Sequence, residues 1–227
     1  RELKVTRADQ DQLALESHQK LHQAWEEGFF TDLTTGYLGV NRDTNLRADS
    51  TLEKLGQLKP VFGKRDAQQH GTQATMTAGN STPLTDGASV ALLGNEDWAA
   101  QHNLEPLAYL VDSETAAVDF IHGGDGLLMA PTYAVPRLLE RNGLSLQDFD
   151  FYEVHEAFAS QVLATLTAWE DETYCRERLG LPGALGPIDR TKLNVKGSSL
   201  AAGHPFAATG TRILATTAKI LDRKSVV

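Results

Sequence analysis

One stretch limits what this chain can fold into more than any other: residues 194–212, Asn-Val-Lys-Gly-Ser-Ser-Leu-Ala-Ala-Gly-His-Pro-Phe-Ala-Ala-Thr-Gly-Thr-Arg. It sets one histidine, His204, in a run of tiny residues just before a helical pattern. Packing alone does not call for that arrangement. The glycines allow backbone conformations closed to other residues, and the Ser, Ala and Gly side chains leave room for a ligand to approach the main chain. The imidazole of His204 is expected at the mouth of that space.

The chain has 227 residues, 41% of them hydrophobic, enough to bury a core as one large or two small domains. No apolar stretch approaches the roughly 20 residues of a membrane span, and no signal peptide is read at the start, so an intracellular, cytoplasmic location is expected. A net charge of −9 gives no basic footprint for a nucleic acid. A single cysteine, Cys175, excludes an intrachain disulfide framework.

Both ends read as cut. The first residue is Arg1, and residues 2–5 run directly into a helix signal. The last helical pattern passes into Asp222-Arg223-Lys224-Ser225-Val226-Val227, which a common sequencing-adapter DNA encodes in one frame. Residues 222–227 are therefore expected to be a non-native tail.

The pattern predicts an amphipathic helix from Thr6, with Thr6 as cap, Asp9 as capping-box acid, and Ala14, His18, Leu21 and Trp25 on one face. Residues 31–73 read as a loop-rich excursion with one short helix near 51–58, ended at Lys59-Pro60. Strands are expected at 87–94, 106–111 and 149–154, and helices at 96–102, 132–141, 157–169 and 209–221. Strands alternating with helices argue for an α/β fold with a largely internal sheet.

Val154-His155-Glu156-Ala157-Phe158 places a histidine and a glutamate where a strand gives way to a helix, a place that gathers ligand groups in α/β folds. Alone, His155 reads equally as a helix cap. Together, His155 and His204 can converge as base, hydrogen-bond donor or metal ligand. His122, His155, Glu156 and His204 show no metal-ligand spacing, so no metal site is assigned. Cys175 sits in a charged helix-like stretch, 171–178, and reads as structural.

These motifs, in this order, resemble the thiolase family, and within it the degradative 3-ketoacyl-CoA thiolases of the multienzyme-complex type. The Asn-Val-x-Gly…Gly-His-Pro signature falls at 194–210 and the His-Glu-Ala-Phe signature at 155–158. Residues 77–88 match the segment that family members use beside the pantetheine, and 47–53 with 58–62 match the end of their loop domain. The resemblance implies a thiolase-like fold of αβαβα layers. The end of the loop domain would occupy 1–82, the last strand region of the first half 83–103, and an incomplete second half 104–221.

What it implies for function is acyl transfer: cleavage of 3-ketoacyl-CoA by CoA to acetyl-CoA and a shortened acyl-CoA, with coenzyme A as co-substrate and no covalent cofactor. His204 would match the histidine that activates the nucleophilic cysteine and holds the thioester oxygen, and His155 the position that orients a water or that oxygen. Arg47 would lie against the nucleotide end of CoA, Ala78 and Thr82 along the pantetheine, and Met129 and Phe158 at the apolar wall by the thioester. A homodimer or higher oligomer is implied, with a hydratase/dehydrogenase partner subunit in the multienzyme branch.

The chain departs from the pattern in three small ways and one large one. Lys196 precedes Gly197, Ser198 replaces the second glycine of the pair, and Ala207 replaces a later glycine. Both family cysteines are missing, and Cys175 matches neither. The chain alone is therefore expected to lack turnover, with the nucleophile upstream of Arg1 and the second cysteine after the last helix. A biosynthetic acetyl-CoA acetyltransferase, a non-catalytic CoA- or lipid-binding relative and a metal-dependent hydrolase stay open as alternatives. His155 and the stretch from about 169 to 189, similar to an insertion of the multienzyme branch, favour degradation.

Overall fold

Helix α1, Arg7–Glu26, begins where the sequence puts it: Thr6 Oγ1 accepts from Asp9 N at 3.1 Å while Thr6 N donates back to the Asp9 carboxylate. Leu13, Ala14, Ser17, His18, Leu21 and Ala24 recur at helical spacing and are buried, which fixes the face turned inward. Trp25 is half-buried, its indole N–H donating to Asp43 at 3.0 Å. This computed structural model describes residues 3–222. Arg1 and Glu2 lie outside them, as do Arg223–Val227 of the expected tail, whose first residue, Asp222, closes the last helix.

Two short helices follow, α2 (Leu52–Gly56), capped by Thr51, and α3 (Lys64–Gln69). The sequence reading contains no α3. Its six residues bury only Ala67, so no apolar periodicity announces them. Helix α4 (Glu96–Gln101) is capped by Asn95, and α5 (Pro131–Asn142) opens on a proline and closes on Gly143 at φ 64°. Next come α6 (Ala159–Glu170), α7 (Glu172–Glu177), the four-residue α8 (Ser199–Ala202), absent from the sequence reading, and α9 (Thr209–Asp222).

The core forms around α6. Its Ala159, Val162, Leu163, Leu166 and Trp169 pack with Leu13 and Ala14 of α1, Leu139 of α5 and Leu200 of α8. A second cluster joins Leu21 and Ala24 of α1, Phe29, Phe30, Ala201, Ala202 and Ile220. Helix α8 thus stands between the two clusters, Leu200 facing one and its alanines the other. The small residues that looked like room for a ligand serve largely as room for α1.

Among the described residues pairing is confined to isolated bridges, which corrects the three expected strands. Residues 87–94 and 106–111 have no regular structure, and Val90, Leu92, Tyr109 and Val111 are exposed. A strand is stable only when paired with another, and no bridge among the described residues involves either segment. The third expected strand survives as one parallel bridge, Tyr152 with Leu193: Tyr152 N donates to Lys192 O at 3.0 Å and Asn194 N to Tyr152 O at 2.8 Å. A second parallel bridge joins Leu84 to His204, and an antiparallel one joins Ser81 to Phe158. These pairings bring the expected site segments together.

Candidate active site

The two signature segments are bonded to each other through Asn194. Its Oδ1 accepts from Val154 N at 2.7 Å, and its Nδ2 donates to Val154 O at 3.0 Å and to Glu156 Oε1 at 2.8 Å. The side chain thereby imitates a peptide group and extends the Tyr152–Leu193 pairing by one step. Its φ of 45° is one that asparagine tolerates better than most residues. Glu156, 1% exposed, accepts at its other oxygen from Ser17 Oγ at 2.7 Å and from Leu200 N at 3.0 Å. One buried carboxylate therefore fastens α1, the Asn194 turn and the first turn of α8.

Close approach accounts for Gly197. At φ 73°, a Cβ there would fall 2.5 Å from Ser17 O and 2.6 Å from Leu21 N, so α1 rests directly on this backbone. Ser198, the departure next to it, is fully buried and bonded: its N donates to Ser17 Oγ at 3.1 Å and its Oγ to Val154 O at 3.2 Å.

This scaffold delivers the two imidazoles to one place. The rings of His155 and His204 lie 4.2 Å apart between centroids, and Phe206 lies 4.6 Å from the His204 ring. His204 hangs from the bridge to Leu84, its N donating to Pro83 O at 3.0 Å. Its Nδ1 lies 2.6 Å from Thr209 Oγ1, whose hydroxyl also donates to Pro205 O at 3.3 Å. A hydroxyl that donates to that carbonyl is free to accept from Nδ1, and in that arrangement Nε2 is bare, as a base requires. His155 Nδ1 lies 2.7 Å from Ser199 Oγ.

Burial and nearby charge disfavour protonation of both rings. Burial, then the neighbouring His204, then Arg212 hold His155 down at about 4, well below the ordinary value of 6.5. Burial and Arg212 also lower His204. Behind them Glu153 has both carboxylate oxygens buried without a hydrogen bond, and burial followed by the Glu156 charge pushes it up to about 8. Both causes favour its protonated form.

An open cleft of about 300 Å³ lies in front of His204, lined also by Leu84, Thr85, Asp86, Gly87, Pro205 and Phe206. Of the other expected residues, Thr82 is at hand: its N donates to Ala157 O at 3.0 Å and its Oγ1 to Ser199 O at 2.6 Å. Phe158 packs edge-on against Phe62 at 5.5 Å. Ala78 is exposed in a short turn, and Arg47 is exposed while its backbone N donates to the buried His18 Nδ1 at 3.2 Å. Met129 is buried just before α5, where its carbonyl accepts from Thr132. Cys175 is fully buried, its thiol donating to Ala168 O and Trp169 O. Charged neighbours make α7 look solvated, yet Cys175 is the residue it turns inward. Among the described residues, three or more His, Cys, Asp or Glu side chains nowhere gather as a metal would require, and no helix is long and apolar enough to cross a membrane.

Sequence reasoning missed Ser17, Ser199, Thr209 and Arg212, which hold these groups. Ser17 is far away in sequence and had no motif to mark it. Ser199 and Thr209 were visible only as small members of the signature. Arg212, four residues into α9, had the i to i+3 spacing from Thr209 as its one signal.

Comparison with known proteins matches the family model "Thiolase, N-terminal domain" to residues 1–97 and "Thiolase, C-terminal domain" to residues 104–226. The chain is 41% identical to the 3-ketoacyl-CoA thiolase of Yersinia enterocolitica over 97% of its own length and 50% of the relative's. It is 42% identical to that of Yersinia pestis over the same shares. Among solved structures, the Bacillus anthracis acetyl-CoA acetyltransferase superposes with a TM-score of 0.77 at 33% identity, covering 99% of this chain and 52% of that one. Human mitochondrial 3-ketoacyl-CoA thiolase in complex with CoA follows with 0.74 at 32% identity, covering 98% and 50%. The chain spans about half the length of the curated relatives it matches. With an α/β thiolase-like fold and both family models matched, this chain belongs to the thiolase family.

Proposed function

We propose that this chain supplies the histidine half of a 3-ketoacyl-CoA thiolase site, in which CoA cleaves a 3-ketoacyl-CoA to acetyl-CoA and a shortened acyl-CoA. The observation that carries this reading is the convergence of two imidazoles, His155 and His204, 4.2 Å apart beside an open cleft. His204, with Nε2 bare, takes the proton of a thiol and so makes the sulfur nucleophilic. His155 donates to the thioester oxygen as negative charge develops there. Thr82 beside Ser199, and Phe158 against Phe62, flank the path of the acyl-pantetheine arm, Met129 sits further out along an apolar wall, and Ala78 and Arg47 lie toward the nucleotide end.

The sulfur must come from outside this chain, since Cys175 is the single cysteine and is fully buried against backbone carbonyls. The chain by itself then binds CoA thioesters without turning them over. The reading extends to fatty-acid β-oxidation in the cytoplasm, in a homodimer or higher oligomer with a hydratase/dehydrogenase subunit. A biosynthetic acetyltransferase is the second reading, favoured by the likeness to the Bacillus anthracis acetyl-CoA acetyltransferase. The His155 version of the motif and the 169–189 stretch weigh against it.

Titration calorimetry with acetoacetyl-CoA, paired with an assay of its CoA-dependent loss, tests the proposal. Binding without turnover is expected. Absence of any CoA-thioester binding overturns the reading, and turnover abolished in His204→Ala overturns the inactivity of the chain alone.

A further inference from the structure

Ser199 and Arg212 form a chain of contacts behind His155 that the proposed chemistry does not itself require. Arg212 Nη2 donates to Ser199 Oγ at 2.8 Å, and that same oxygen lies 2.7 Å from His155 Nδ1. Ser199 is fully buried, and its carbonyl is taken by Thr82 Oγ1 at 2.6 Å, so the residue is held at both ends.

The hydroxyl has one proton to give and two lone pairs. One lone pair is used by Arg212, whose guanidinium has no acceptor capacity and stays charged at any working pH. If His155 Nδ1 carried the imidazole proton, it would donate to the second lone pair. The hydroxyl proton would then be left in the interior, for among the described residues Ser199 Oγ has Arg212 and His155 as its partners. An unmet buried donor costs about 1–3 kcal/mol. If instead the hydroxyl donates to a bare Nδ1, every group is satisfied. The guanidinium also draws charge from the oxygen, which makes the O–H a better donor and the oxygen a poorer acceptor.

We infer that Ser199 and Arg212 are positioning residues that lock His155 in the tautomer with its proton on Nε2. The two histidines then hold complementary states: His155 presents a donor while His204, bonded through Nδ1 to Thr209, presents an acceptor. Two adjacent imidazoles free to choose their tautomers would divide their time between productive and unproductive combinations. The assignment of tautomers rests on the contacts alone, and its catalytic meaning rests on the proposed thiolase reading.

Long-range ¹H–¹⁵N correlation spectra of the ¹⁵N-histidine-labelled chain at neutral pH report which nitrogen of each ring is protonated. In the wild type, His155 is expected to show a bare Nδ1 and a protonated Nε2. In Ser199→Ala and Arg212→Met that preference is expected to fall to an exchanging mixture, while Ser199→Thr, which keeps the hydroxyl, restores it. A wild-type His155 protonated on Nδ1, or an unchanged tautomer in a folded Ser199→Ala, overturns the inference. Should the variants not fold, the wild-type spectrum decides. A chain with the expected tautomer that binds no CoA thioester overturns the functional reading and leaves this inference standing.

Discussion

Asn194 Nδ2 donates to Glu156 Oε1 at 2.8 Å in the interior, and that one bond joins two signature segments 38 residues apart. Glu156 is drawn up above the usual carboxylate range by burial, against the pull of Ser17, Asn194 and Leu200, which all favour its charge. The site histidine beside it, His155, is positioned by what this carboxylate fastens.

Asn194→Ala removes three side-chain hydrogen bonds, taking the partner of Val154 N and of Glu156 Oε1 and leaving Val154 O with Ser198 Oγ. A loss of about 3 kcal/mol is expected, since unmet buried groups cost more than a bond contributes. Urea unfolding followed by tryptophan fluorescence measures it. A change under about 1 kcal/mol would mean that the clamp is dispensable.

Gly197→Ala tests the contact with α1. The added methyl meets Ser17 O and Leu21 N, backbone atoms that cannot swing aside, and the left-handed φ adds strain of about 1–2 kcal/mol. A total loss near 3 kcal/mol is expected, with the His155 and His204 signals shifted because α8 must move. A variant as stable as wild type would show that α1 does not rest on this turn.

Ala207 is the opposite case. It holds φ 66° on an exposed turn without the glycine that this conformation favours. Ala207→Gly is expected to raise stability by about 1 kcal/mol, seen as a higher urea midpoint with the same slope. An unchanged or lower midpoint would place the strain elsewhere.

The sequence was legible where local chemistry decides the outcome. Thr6 and Asp9 cap α1, Gly143 closes α5, and the two histidines meet beside the cleft. It was illegible where an element depends on something distant. Val90-Ala91-Leu92-Leu93 has the composition of a buried strand, yet no bridge among the described residues pairs it, and Val90, Leu92 and Leu93 stay exposed. Ser17, 139 residues from Glu156, carries no local sign of its role. Cys175 reads as structural and is buried, but its charged neighbours, which describe one face of α7, gave no sign that the thiol lies on the other.

Glu153 gives the chain a pH dependence of unusual sign for a carboxylate. Burial and then the Glu156 charge raise it to about 8 from 4.5, outweighing Arg212 and Lys20, so the folded protein holds a proton that the unfolded chain has released. Such a group contributes stability in full below 4.5 and loses it as pH rises toward 8. His18 and His155, both held near 4 from 6.5, act the other way, costing stability only as pH falls below 6.5. His204, lowered as well, has the same sign. The interval from about 6.5 to 8 therefore lies above the histidines, and comparing wild type with Glu153→Gln reads Glu153 together with its coupling to the buried Glu156. Across that interval the wild type is expected to lose stability relative to the variant by roughly 1.4 kcal/mol per pH unit. Urea unfolding of both proteins at several pH values in that range measures the divergence. Parallel curves would mean that Glu153 is ionised in the folded state and finds a partner there.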